Sequence, residues 1–314
     1  MEKNIPVFNF VIDHPRIFND TLEDPEADIY LLTLDRNHTE FCKKYYPKLK
    51  DVFFVPHAGV EWTNSTTPYD HRSIDVLYMG DCQLEIKDLP RIRLFSDGGN
   101  DLYQKVSVKL YTNPLLSTEN AISEYLNDAG VVIERESDEY ILMRNVGNAI
   151  DKNLRRISKL SGMQALDQMG IHVDIYGDNW IDPEFPLSEN ISIHKRVEVG
   201  EILETLGNTK ISLCFIPWFR GGCSEKNLDS MLNGAVCVSD RSEYLLEHYN
   251  DGEDIVYFDI SNPGQMAADV KWLLEHPKQA AIIASNGQKK ARQYDSWEIR
   301  NRQICELITE CLGL

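Results

Sequence analysis

The chain is short of positive charge: 32 Lys and Arg stand against 50 Asp and Glu, a formal net charge of −18. That excludes broad, sequence-independent nucleic-acid binding and attraction to an anionic membrane surface, which both draw on a basic face. It leaves room for an anionic ligand in a local positive pocket. Long hydrophobic runs are missing too, and no stretch approaches the ~20 apolar residues of a membrane span. The N-terminal MEKNIPVFNFVIDHP does not read as a signal peptide, because its apolar stretch is short, interrupted by Asn9 and without a small-residue cleavage site. The seven Cys are odd in number and form no CxxC pair, which fits a reducing cytoplasm better than a disulfide framework. The eight His are scattered without ligand spacing, so no metal site is expected. There is no P-loop, no serine nucleophile elbow, no internal repeat and no low-complexity tract. A soluble, cytoplasmic protein is the expectation.

What is present is an ordinary globular balance, 42% hydrophobic and 26% charged over 314 residues, enough for one large domain or two smaller ones. The first sixty or so residues alternate strand, helix, strand: Val7 to Ile12, Asn37 to Tyr45, and Val52 to Val55 after a strand at Ile29 to Leu34. That is the pattern of a parallel α/β layer. Glu61 to Arg72 is polar and turn-rich, and reads as a linker. A strand at Ile74 to Met79 ends at Gly80, and a mostly helical stretch follows from about residue 87 to 160. Tyr140 to Met169 carries apolar residues at helical spacing, among them Ile141 and Leu142, with Gly147 and Gly162 suggesting breaks into more than one helix. Strands return at Val173 to Tyr176, Ile191 to His194, Ile211 to Ile216, Ala235 to Ser239 and Ile255 to Phe258, and three helices close the chain.

The densest signal is Phe215 to Asp240, FIPWFRGGCSEKNLDSMLNGAVCVSD. It reads as strand, glycine-bearing loop, helix, glycine, strand. Ser224 is placed to cap a helix from Glu225 to Leu232. A Gly-Gly loop before a helix N-terminus presents backbone N–H groups and the positive end of a helix dipole, an arrangement suited to a phosphate or diphosphate. A plain strand-to-helix turn is the alternative. Asp13-His14-Pro15 follows the first strand at the end where α/β sheets place ligands. His14 is a candidate general base there, with Asp13 beside it.

The ordered set IDVLYMGD, DQMGIHVDIYGDNW, KISLCFIPWFRGGCSEKNLDSMLNGAVCVSD and YLLEHYNDGEDIVYF resembles the C-terminal donor domain of GT-B glycosyltransferases. Within them it is similar to the group that includes the spore-maturation (CgeB-like) proteins. The likeness covers roughly residues 70 to 314, and the early VIDHP and FFVPHAGV resemble the last part of an acceptor-side domain. The resemblance implies a GT-B-type, Rossmann-like α/β fold: a partial acceptor-side domain over 1–62, a linker over 63–72, a donor domain over 73–295 and a C-terminal helix over 296–314. It implies a metal-independent transferase that needs no cofactor. Its partners would be a nucleotide-sugar donor and a glycan, protein or small-molecule acceptor. Donor contacts are expected from Gly80, Gly177, Arg196, Arg220, Gly221, Gly222, Cys223, Ser224, Lys226 and Asp229, with Asp229 near the ribose and Gly177 near the base. Two features depart from the pattern. Many retaining relatives carry two Glu with seven residues between them, where this chain has Gly221 and Asp229; Lys226 stands where an Arg is common. The acceptor-side domain is also only about the last third of a full half. The alternatives are therefore a non-catalytic nucleotide- or glycan-binding module, or a truncated half of a larger glycosyltransferase.

Overall fold

The computed structural model describes residues 5–25, 27–62, 67–89, 91–92, 95, 97–131, 134 and 137–313. Residues 63–66 of the expected linker, and the side chains of Ile141 and Leu142, lie outside what it describes.

Two parallel sheets organise the molecule. The N-terminal one has the order β1-β2-β3, with β1 Val7–Val11, β2 Ile29–Thr33 and β3 Asp51–Phe54. A 3-10 turn at Pro15–Phe18 and the short helix α1, Asn19–Leu22, join β1 to β2; α2, Arg36–Tyr45, joins β2 to β3. The second sheet has six strands: β4 Ile74–Met79, β5 Val173–Tyr176, β6 Ile191–His194, β7 Thr209–Cys214, β8 Val236–Asp240 and β9 Val256–Phe258. Their spatial order is β6-β5-β4-β7-β8-β9. Counted from β4, this is the 3-2-1-4-5-6 order of a doubly wound dinucleotide-type fold, with its topological switch between β4 and β7.

The strand sequences explain why both faces are covered. Val76 and Tyr78 of β4, Ile211 and Leu213 of β7, and Val236 and Val238 of β8 belong to one core. The intervening Leu77 and Met79, Cys214, and Cys237 belong to two others. Strands buried on both faces read as continuous apolar runs, which is why they were visible in the sequence. The first face carries α5, Asp138–Gln168, and α9, Pro263–Glu275, together with α3, Asn100–Thr112, and α4, Thr118–Asp128. The other carries α6 Val199–Gly207, α7 Glu225–Leu232 and α10 Pro277–Tyr294. The six-residue α8, Glu243–His248, was not anticipated.

The sequence expectation of breaks at Gly147 and Gly162 is corrected: α5 is one unbroken helix of 31 residues. Both glycines serve close approach instead. A Cβ on Gly147 would sit 2.8 Å from the Arg16 guanidinium, and one on Gly162 about as tightly, 2.5 Å, from the Phe215 ring. A glycine inside a helix costs about 1 kcal/mol against alanine, and here the long helix absorbs that cost twice to bring its neighbours in.

The last helix, α11, Trp297–Leu312, returns to the N-terminal layer. Gly59 N–H donates to the Asp295 carbonyl at 2.9 Å, and the Trp297 ring stands edge-on to Phe10 and His57. Asp295 is fully buried; its carboxylate accepts from Arg300 at 2.8 Å, from Tyr249 at 2.5 Å and from Tyr244. Arg300 also donates to the His57 carbonyl at 3.1 Å, so one buried network ties α11 to the segment after β3. All seven cysteines are free thiols. No described helix is long and apolar enough to cross a membrane.

Candidate functional site

The switch point is built from three loops and one helix face. Gly80 follows β4 with φ +130°, a backbone conformation that only glycine adopts freely. A Cβ there would lie 2.6 Å from the Lys226 ammonium, so Lys226, in the first turn of α7, hangs over the β4 loop. Gly177, after β5, packs against the Gly80 carbonyl too closely for any side chain, and the Trp180 indole N–H donates to that same carbonyl at 3.0 Å. The β4 and β5 loops are thus locked together by backbone contact.

Two further cations arrive from α5. Lys159 is buried and donates to the Asp81 carbonyl and to Gln83, both at 2.8 Å. Arg155, one turn earlier, lies 3.6 Å over the Trp218 ring, and its buried Nε has no partner among the described residues. Burial, then the charges of Lys226 and Arg155, hold Lys159 well below the ordinary lysine range. Three cations that raise one another's cost are stabilised together by an anion. The positive end of α7 points the same way. Beside it, at the ends of β5 and β6, lies a cavity of about 440 Å³ lined by residues 177–181, Ile193 and His194. That volume is in the range of small-molecule sites.

Glu225 is a carboxylate whose charge acts on Arg155 and which is itself acted on by Lys226. It accepts from the Ser224 hydroxyl at 2.9 Å and lies 3.8 Å from His57. Burial raises its pKa, but Lys226, His57 and Ser224 outweigh that and hold it below the usual range, so it is ionised. Asp13 is exposed after β1, and its charge acts on Arg155.

The structure therefore brings together Gly80, Gly177 and Lys226 from the sequence-expected set, and sets Asp13 near enough for its charge to act on Arg155. Arg196 stands at the rim, exposed and 3.7 Å from Asp81. Ser224 caps α7, accepting from Lys226 N–H at 3.3 Å, while its own N–H donates to Asn227 in a capping box.

The other expected residues are placed differently. Gly221 N–H is not free: it donates to the Asp35 carboxylate at 2.8 Å, and Gly222 presses on the Leu34 carbonyl. The glycine pair docks the loop against the N-terminal layer. Arg220 is buried and donates to the carbonyls of Leu110, at 3.2 Å, and Pro114, closing the end of α3. Cys223 is a core residue. Asp229 accepts Val60 N–H at 2.7 Å, and burial pushes its pKa up to about 7. His14 accepts Arg16 N–H at Nδ1, 3.1 Å, and its Nε2 lies 2.8 Å from Glu119. Burial and Arg16 push His14 well below its usual pKa, so it is neutral. Only about 10 Å³ of space is left between it and the facing helices, too little for an acceptor.

Arg155, Lys159, Trp218 and Glu225 were missed in the sequence. The signals available were an i, i+4 cation pair on one helix, an aromatic immediately after β7, and an acid next to Lys226.

Asp240, at the end of β8, gives a pH prediction. Its Oδ1 accepts Ile216 N–H at 2.6 Å, while Oδ2 is buried and has no partner among the described residues. Burial raises its pKa to about 7. A raised acid binds more protons in the folded state, so its contribution is present below pH ~4 and lost as pH rises through ~7. Asp240→Asn is expected to stabilise the protein at pH 8 by on the order of 1–3 kcal/mol. The gain should vanish near pH 4, as read by urea titration at both pH values.

The fold is of the GT-B type, a doubly wound parallel sheet accompanied by a second, three-stranded α/β layer. Comparison with known proteins agrees. Residues 158–306 match a family model described as glycosyl transferase-like. No curated protein matches the chain significantly. Among solved structures it is similar to the sucrose-phosphate synthase of Thermosynechococcus elongatus, at 10% identity and TM-score 0.51, over 95% of this chain and 61% of that one. It is similar to a glycosyltransferase from Rickettsia africae at 10% identity and TM-score 0.51, over 98% and 70% of the two chains. A point mutant of S. aureus TarM, in complex with Fondaparinux, alpha-GlcNAc-glycerol and UDP, aligns at 11% identity and TM-score 0.53, over 97% and 51%. The chain thus spans 61% of the synthase and about half of TarM. At such identity the likeness establishes the fold.

Proposed function

We propose that the chain is a cytoplasmic, nucleotide-sugar-dependent glycosyltransferase of the CgeB-like kind, working without a metal ion or cofactor. The observation that carries this reading is the convergence of Lys226 and Lys159 on the loop after β4, with Arg155 near enough for its charge to act on Lys159. In this reading residues 73–295 form the donor domain, 1–62 the acceptor side, 63–72 the link between them, and 296–314 the helix that returns. The donor's diphosphate lies beside the loop after β4, within reach of the Lys226 ammonium, and its nucleoside in the cavity at the ends of β5 and β6.

Transfer breaks the bond between the anomeric carbon and the diphosphate oxygen, and the electron pair stays on the diphosphate. The three cations stabilise that charge as it develops, which is where preorganised electrostatics contribute most. The acceptor hydroxyl oxygen forms the new bond to the anomeric carbon, and its proton passes to a carboxylate. Asp13 is the group we assign to that task, because it is exposed at the end of β1 while His14 is packed against Arg16, Glu119 and His38. The acceptor is a hydroxyl of a glycan, protein or small molecule.

Incubation with UDP-, GDP-, CDP- and dTDP-sugars tests the proposal. At least one should be bound and turned over, with turnover accelerated by a suitable acceptor and unaffected by EDTA. Nucleotide binding without turnover under any acceptor would replace the transferase with a binding module. No binding of any donor would end both readings.

A further inference from the structure

We propose that β1 is a self-association edge, and that two copies of this chain join their N-terminal sheets through it. Among the described residues β1 pairs with β2 alone. Val7 N–H donates to the Asp28 carbonyl, so Val7, Asn9 and Val11 turn their backbone groups toward β2. By strand alternation Phe8 and Phe10 turn theirs outward, and no described residue bonds them. An unpaired row of this kind templates another strand.

The chemistry of the edge says which partner fits. Proteins blunt free edges with charges, but residues 5–12, IPVFNFVI, carry none in a chain of net charge −18. This edge is where two copies approach without bringing like charges together. Its apolar groups are open: Ile5 is 71% exposed, Ile12 58% and Val7 41%. A two-fold axis beside Asn9 pairs Phe8 of one copy with Phe10 of the other, and each such pair exchanges both N–H···O bonds. The interface is isologous, and the merged sheet has six strands. Phe8 is already stacked on Tyr30, with centroids 4.6 Å apart, so its ring is pre-positioned for a cross-strand aromatic contact. Asn9 then faces Asn9 of the second copy as a non-hydrogen-bonded pair, the closest approach in an antiparallel ladder.

The test uses the full chain. Light scattering after gel filtration should give twice the 36.1 kDa chain mass at high concentration. Asn9→Lys sets two ammonium groups opposite each other, and should raise the dimer dissociation constant by about tenfold or more. Asn9 is exposed in the single chain, so circular dichroism and melting should not change beyond the loss of dimer. The Phe8 and Phe10 amides should be protected from hydrogen exchange in the concentrated parent and exchange quickly in the variant. A single-chain mass at all concentrations overturns the proposal, as does a doubled mass that Asn9→Lys leaves intact.

Discussion

Replacing Lys226 with alanine is expected to lower kcat/KM for donor consumption by about 10²–10³-fold, the loss seen when one preorganised donor to a developing negative charge is removed. The melting temperature should stay close to the parent's. Lys226 is half-exposed and makes no ion pair among the described residues, so its removal leaves no described buried partner orphaned. It also removes one of the charges that depress Lys159. A functional lysine and a merely solvated one therefore differ in a way the experiment can read. The first loses activity and keeps stability, and the second changes neither. Steady-state kinetics with the best donor from the panel, paired with thermal melts, provide both numbers.

The largest structural effect is expected at Asp295. Asp295→Ala leaves Arg300 buried with its charge uncompensated and removes the acceptor of two tyrosine hydroxyls. Breaking a buried pair by deleting one partner costs about 3–5 kcal/mol. The loss falls where α11 meets the segment after β3, so the alignment of the two layers should fail along with global stability. Urea titration checks the magnitude. Proteolysis should release fragments cut near α11 in the variant at denaturant levels the parent withstands.

The sequence was informative where a single segment carries its own signal. The central strands of the donor-type sheet, β4, β7 and β8, are mostly apolar runs buried on both faces, and Gly80 and Pro217 punctuate the first two. The Ser224 cap and the helix from Glu225 to Leu232 were legible because capping chemistry is local. The site was legible only in part. Gly221 looks like a free anion cradle until Asp35, 186 positions away, takes its N–H. Arg155 and Lys159 look like a solvated helix face until α5 crosses the switch point. Gly147 and Gly162 look like helix breaks until their neighbours, Arg16 and Phe215, are seen. In each case the missing information is a partner brought in by tertiary packing, which overrides local propensity.

The most direct measurement is a crystal structure of the chain soaked with a nucleoside diphosphate from the donor that binds best. The account predicts both phosphates in the space beside the loop after β4, in contact with the Lys226 ammonium and on the side of Arg155 and Lys159. A diphosphate bound elsewhere on the chain, with that space left empty at saturating ligand, would contradict it.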